Sequence, residues 1–155
     1  MKNIIFIILS IGLVAFVIIM SVLDAKHQDE LICQGAFNRC SKVEDITFEA
    51  EKVNIYMFWG NGCPHCKDEF TYLESLMDEY GELFKVYAFE VWYNKNNAKL
   101  MNKFAEGMGD PVSSVPYTVI GEKTFSGYAN TMEKEILEAI EKYASSDYDV
   151  YQSIK

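Results

Sequence analysis

Val53-Asn54-Ile55-Tyr56-Met57-Phe58-Trp59, then Gly60-Asn61-Gly62, then Cys63-Pro64-His65-Cys66-Lys67 is the stretch that decides the fold. Its first seven residues are rich in β-branched and aromatic side chains and almost continuously apolar, the pattern of a central strand buried on both faces. The glycines break it. From Cys63 to about Tyr80, Phe70, Leu73, Leu76, Met77 and Tyr80 recur at steps of three and four, with Asp68, Glu69, Glu74, Asp78 and Glu79 between them. That is the stripe of an amphipathic helix, ended by Gly81. A buried strand thus passes through a short glycine loop into a helix, and two cysteines one turn apart stand at the helix start.

Downstream, Lys85 to about Tyr93 reads as a second strand. Leu100, Met101, Phe104 and Ala105 then give a helical pattern closed by Gly107 and Gly109. The order βαβα implies a parallel strand pair with a helical crossover. Val115-Pro116 opens a third strand, Tyr117 to Ile120, and Gly121-Glu122 makes a two-residue hairpin turn before Lys123 to Ser126 returns antiparallel. Asn130 is placed to cap a last helix with Glu133 three residues on, and Met132, Ile136, Leu137, Ile140 and Tyr143 form its stripe. Residues 45–145 therefore predict one α/β domain with a mixed central sheet, βαβα then ββα, and residues 146–155 a polar, frayed tail. Met57, Met77, Met101 and Met132 read as packing, and so do Trp59 and Trp92, although Trp59 lies close enough to the glycine loop to line a site.

Upstream, no charged residue interrupts Ile4 to Leu23, a run long enough to cross a bilayer as a helix. It is longer than the apolar core of a secretory signal and ends in Asp24-Ala25-Lys26, so residues 1–23 read as an uncleaved anchor. Lys2 and the amino terminus precede it and acidic residues soon follow, which puts the rest of the chain on the extracytoplasmic side of the cell membrane. Residues 24–44 form a polar linker carrying Cys33 and Cys40. The 155-residue chain has a formal net charge of −9 and no basic patch, which argues against nucleic acid and anionic lipid headgroups as partners. Cysteines exported to an oxidising space can form disulfides that persist.

A CxxC pair alone is ambiguous between disulfide exchange and a zinc knuckle, and with Cys33 and Cys40 a four-cysteine zinc site is conceivable. Context favours exchange. The unpaired N–H groups and positive dipole end of a helix N-terminus stabilise a thiolate at Cys63, lowering its pKa from about 8.5 into the range of roughly 3.5 to 7.5. Cys63 is then the attacking thiol and Cys66, deeper in the helix, the resolving one. Pro64 suits the first helical turn. His65, between the sulfurs, tunes the pair towards oxidation of substrates. Cys33 and Cys40 read as a structural clip or, alternatively, as a second redox pair that exchanges with Cys63.

The run Tyr56 to Lys67, with Val115-Pro116 later, resembles the thioredoxin superfamily over Val53 to Tyr143. The resemblance implies that Pro116 is cis and faces the cysteine pair, and that the backbone of Val115 pairs with substrate. Pro-His between the cysteines is similar to the DsbA-type oxidants. Two features differ. The Tyr93 to Ser114 stretch holds one helix where DsbA-type proteins carry a helical insertion, and Met57 stands where thioredoxins place a buried acid. The implied activity is thiol-disulfide exchange on cysteines of exported proteins, with a membrane redox partner and no metal or organic cofactor. A reductase fed by a membrane electron donor, as in cytochrome maturation, and a non-catalytic metal-binding module are the alternatives.

Overall fold

The computed structural model describes residues 11–24 and 32–154. The chain divides into two units, residues 1–34 and 35–155. The first contains helix α1 (residues 11–24), along which Ile11, Leu13, Val14, Phe16, Val17 and Ile18 are all exposed. Ser21 donates its hydroxyl to the carbonyls of Val17 and Ile18, so the one hydroxyl on this apolar helix is satisfied within it. Among the described residues no helix is long and apolar enough to cross a membrane. Residues 1–10 of the expected span, and residues 25–31 of the expected linker, lie outside the described residues.

The second unit is a four-stranded mixed sheet in the order β2-β1-β3-β4. Strand β1 (Val53–Trp59) is buried along its whole length, as its unbroken apolar run predicts. Helix α2 (Pro64–Ser75) and the short α3 (Met77–Tyr80) lead to β2 (Phe84–Glu90), parallel to β1 with Met57 opposite Ala88. Helix α4 (Lys95–Met108) is capped at its start by the Asn94 side chain, which accepts from the N–H groups of Asn96 and Asn97. Strand β3 (Tyr117–Ile120) runs antiparallel to β1, with Thr118 opposite Met57, and β4 (Lys123–Ser126) returns beside it. Gly121 in the hairpin has φ of 57°, and its α-carbon lies against the Tyr143 ring, so only glycine suits it. Helices α5 (Glu133–Ala144) and α6 (Val150–Ile154) complete the unit.

Cross-strand partners share a face of the sheet. One face carries Tyr56, Phe58, Tyr87, Phe89 and Tyr117, packed on Phe104 of α4 and Val150 of α6. The other presents Ile55, Met57, Trp59, Ala88 and Thr118 to the side of α2 and α5, where Trp59 meets Phe70 edge-on at 5.5 Å.

Five local expectations need correcting. The helix expected to run from Cys63 to Tyr80 breaks at Leu76, just where the Ser75 hydroxyl turns back onto the Tyr72 carbonyl. The second strand stops at Glu90 because its carboxylate collects the N–H groups of Trp92, Tyr93 and Asn94 and curls the chain. Trp92 is not core but 54% exposed. Asn130 does not cap α5; it opens a 3-10 turn, Asn130–Met132, after which α5 begins without a side-chain cap.

The tail, expected to fray, folds back as α6. Asp149 accepts hydrogen bonds from the Tyr56 hydroxyl at 2.8 Å and the Asn54 amide at 3.0 Å, giving two polar groups of the central strand the partners that burial demands. Before the sheet, Ser41 pairs with Ala88 through Ser41 N–H to Ala88 O (2.8 Å) and Ala88 N–H to Ser41 Oγ (3.1 Å), covering the outer edge of β2.

Replacing Asp149 by alanine strands the proton of the Tyr56 hydroxyl and leaves the Asn54 amide with only Thr47 O and the Tyr56 oxygen as partners. The expected loss is about 1–3 kcal/mol of stability, read as a lower urea midpoint at an unchanged denaturant slope; an unchanged midpoint would show that solvent satisfies these groups.

Candidate active site

The site forms where β1 hands over to α2. Gly60 is forced small, because the Trp92 indole lies directly over its α-carbon, and Gly62 adopts a φ of 90°. Glu90 braces the loop from the neighbouring strand, its Oε1 accepting from Asn61 N–H at 3.3 Å and from Trp92 N–H at 2.9 Å. Cys63 then occupies the N-cap of α2, and its sulfur accepts the Cys66 N–H at 3.1 Å. An orphan helix-terminal donor is thereby aimed at the Cys63 sulfur, an arrangement that would stabilise a thiolate there. Pro64 fills the first helical position, as expected.

Cys63 and Cys66 are joined in a disulfide. The two residues differ in exposure, Cys63 at 8% and Cys66 at 1%. The Val115–Pro116 peptide bond is cis, and the Cys63 sulfur lies 3.8 Å from the Val115 carbonyl oxygen. The structure thus brings together Cys63, Cys66, Val115 and Pro116, residues separated by some fifty positions, while Pro64 and His65 are exposed on the rim.

Trp59 packs in the core, as the sequence first suggests, and does not line the site. It is 4% exposed, donates its indole N–H to the Arg39 carbonyl at 2.7 Å, and supports the loop from below through Phe70. Arg39 in turn lies over the Phe70 ring and pairs with Glu74, so residues before the sheet pack against the outer side of α2. Cys33 and Cys40 are each disulfide-bonded. Among the described residues no group of three or more histidine, cysteine or acidic side chains is arranged to hold a metal ion.

Glu69, expected among the acids on the polar side of α2, is 0% exposed, and neither carboxylate oxygen has a hydrogen-bond partner. Burial pushes its pKa from 4.5 up to about 8, with the Thr118 hydroxyl acting in the opposite direction. The signal was present in the spacing: Glu69 follows Cys66 by three residues and precedes Leu73 by four, so it shares their inward face.

No protein-family model and no curated protein matches the chain. Solved structures similar to it include a protein of Agrobacterium tumefaciens (16% identity, 63% of this chain and 47% of that one, TM-score 0.49). A thioredoxin-like protein of Clostridium perfringens shares 22% identity over 70% of this chain and 81% of that one, with a TM-score of 0.47. A glutaredoxin of Archaeoglobus fulgidus shares 28% identity over 57% of this chain and 86% of that one, with a TM-score of 0.39. The chain spans about half the length of the Agrobacterium protein. At these scores the chemistry has to be read from the chain's own geometry.

Two outcomes follow from that geometry. Glu90→Ala should release the amides of Asn61, Trp92, Tyr93 and Asn94 together, seen as loss of hydrogen-exchange protection at these four positions and not along β1. For Glu69 the sign is that of an acid favoured neutral in the folded state. Between pH 4.5 and about 8 the unfolded chain loses a proton that the native chain keeps. Stability should therefore fall as pH rises through that window, by at most about 1.4 kcal/mol per pH unit. Glu69→Gln should flatten this part of the stability profile, and an unchanged slope would contradict the burial of an ionisable group there.

Proposed function

We propose that this chain is a thiol-disulfide oxidoreductase of the thioredoxin superfamily. In this reading residues 1–23 hold it in the cell membrane, the catalytic domain lies on the extracytoplasmic side, and the substrates are cysteines of exported proteins. One observation carries the proposal: a disulfide at the N-terminus of α2 whose outer sulfur, Cys63, lies beside the Val115 carbonyl while its inner sulfur, Cys66, is sealed beneath. Only Cys63 can be reached, so it forms the mixed disulfide. Backbone groups at Val115 offer an extended substrate segment a strand-like partner.

In the oxidising direction a substrate thiolate attacks the Cys63 sulfur, the Cys63–Cys66 bond breaks, and Cys66 leaves as a thiolate. The substrate's second thiolate then attacks the mixed disulfide and expels Cys63, whose thiolate is held by the helix N-terminus and the Cys66 N–H. The substrate loses two electrons and the cysteine pair gains them. A membrane redox partner would reoxidise the pair, and the apolar face of α1 supports placement at the membrane. Cys33 and Cys40 act in this reading as a structural clip.

The reductase reading stays open on a specific observation. Met57 removes the acid thioredoxins use, but Glu69 supplies a buried acid in the same layer, so the lack of one at Met57 does not disfavour electron flow towards substrate.

The test is exchange with an external protein disulfide by the full-length protein in detergent. Cys63→Ser should abolish turnover, and Cys66→Ser should accumulate a mixed disulfide at Cys63. Turnover retained by Cys63→Ser, or stoichiometric zinc bound in its place, would overturn the proposal. The midpoint potential of the pair separates direction: a value near the roughly −120 mV of DsbA marks an oxidant, and one near the roughly −270 mV of thioredoxin a reductase.

A further inference from the structure

Cys66 presents a chemical problem that the exchange reading leaves unsolved. It must leave as a thiolate in one direction and lose its proton before attack in the other, yet at 1% exposure it has no direct proton exchange with water. On β1, the residue between Ile55 and Trp59 on the sheet face turned towards α2 is Met57, fully buried and apolar, so it supplies no acid.

The same spot is approached from the helix layer instead. Glu69 stands one turn beyond Cys66 on the inward face of α2, a spacing at which side chains are neighbours. The Thr118 hydroxyl acts on its carboxyl, and Thr118 is the cross-strand partner of Met57. The carboxyl therefore sits over the Met57–Thr118 pair, with both oxygens unpartnered and shut off from solvent. A carboxyl so placed is costly for folding and has no structural bond to make.

We infer that Glu69 is the proton donor and acceptor for Cys66, doing from α2 what an acid at Met57 would do from β1. The inference rests on the exchange reading and adds to it a defined proton path. When substrate attacks Cys63, the Cys66 thiolate takes the proton of the neutral Glu69 carboxyl and leaves a carboxylate. When Cys66 attacks a mixed disulfide, its thiol proton passes to the Glu69 carboxylate, the Cys63–Cys66 bond forms, and the outgoing thiolate is protonated by water.

Few other groups can titrate in this environment. On α2 the neighbours are Cys63, Cys66 and Tyr72, whose pKa is pushed up to about 12 by burial and by Glu133. From the segment after β4 comes Tyr128, which feels the Glu69 charge and is hydrogen-bonded to Glu133 at 2.7 Å, with its pKa raised by burial and by that carboxylate. From β1 and β3 come Met57 and Thr118, which do not titrate. No lysine or arginine contributes to the Glu69 shift. Among the buried groups facing this spot, those free to change between pH 6 and 9.5 are thus the two cysteines and Glu69, while the imidazole of His65 stands exposed on the rim, is common to the wild type and both Glu69 variants, and so cancels in their comparison.

The test mixes reduced full-length protein in detergent with excess oxidised glutathione. The Cys63–glutathione mixed disulfide and the internal disulfide are followed by acid quench and mass, in the wild type, Glu69→Gln and Glu69→Asp. Glu69→Gln should slow resolution by Cys66 at pH 7 at least tenfold, in line with the roughly 10²–10⁴-fold typical of general acid–base catalysis, and Glu69→Asp should recover part of the rate. The wild-type rate should level off above pH 8, whereas the Gln variant should keep rising with hydroxide. Reduction places thiolate charge beside Glu69 and holds its proton on. The wild-type midpoint potential should therefore steepen above pH 8 by up to one proton per two electrons, a tenfold change in equilibrium constant or 29.6 mV per pH unit, and the Gln variant should lack this. A wild type that forms no mixed disulfide at Cys63 takes down the exchange reading and this inference with it. A wild type that forms and resolves one, alongside a Gln variant with the same rate, pH profile and potential slope, overturns the role of Glu69 alone.

Discussion

The handover from β1 to α2 is the constraint on which the site depends. Strand β1 is buried on both faces and held by β2 on one side and β3 on the other, so the point where the chain leaves it is fixed by the whole sheet. Burying residues such as Ile55, Met57 and Phe58 contributes about 1.5–3 kcal/mol each, and all of that holds the loop where it is. The glycines then let the chain turn at once, Cys63 becomes the N-cap, and the Cys66 N–H reaches its sulfur. Rigid support of this kind would serve the proposed exchange, because donors that favour a thiolate then cost nothing to arrange at the moment of reaction.

The two faces of the sheet serve different ends. On the α4 and α6 side an aromatic cluster of Tyr56, Phe58, Tyr87, Phe89 and Phe104 is dense, and the hydroxyls of Tyr56 and Tyr87 find partners in Asp149 and Thr47, while that of Tyr117 has none. That side reads as stability. On the α2 side the buried layer holds a disulfide, an unpartnered carboxyl and an unpartnered hydroxyl, Thr118. Unsatisfied polar groups in a buried layer are rare because each is costly, and several together mark a place where chemistry outweighs packing. The loop bracing by Glu90 and Trp59 belongs with this side, since each holds the glycine turn without touching the sulfurs' exposed edge.

The supports also come from segments that look unimportant in isolation. Ser41 pairs along the β2 edge, Arg39 ties its carbonyl to Trp59 and its guanidinium to Phe70 and Glu74, and α6 closes the far end of the sheet. Polar stretches at either end of a domain fold when they meet specific unsatisfied donors or an open sheet edge, which their own composition does not reveal.

The order of strands and helices, the hairpin at Gly121 and the place of the cysteine pair at a helix start were legible from local pattern. Hydrophobic periodicity and turn chemistry act between near neighbours, and so sequence alone carries them. The proximity of Val115 to Cys63 could be expected only from resemblance, because contacts across fifty residues leave no trace in local spacing. Helix ends, the exposure of Trp92 and the folding of the tail were decided by tertiary packing. Glu69 is the sharpest instance: in sequence it is one acid among many on an amphipathic helix, and only the closing of α2 over Met57 and Thr118 removes its water and changes its chemistry. Sequence determines which groups are present and which face of an element they share; desolvation belongs to the assembled structure, since it depends on every layer that covers the group.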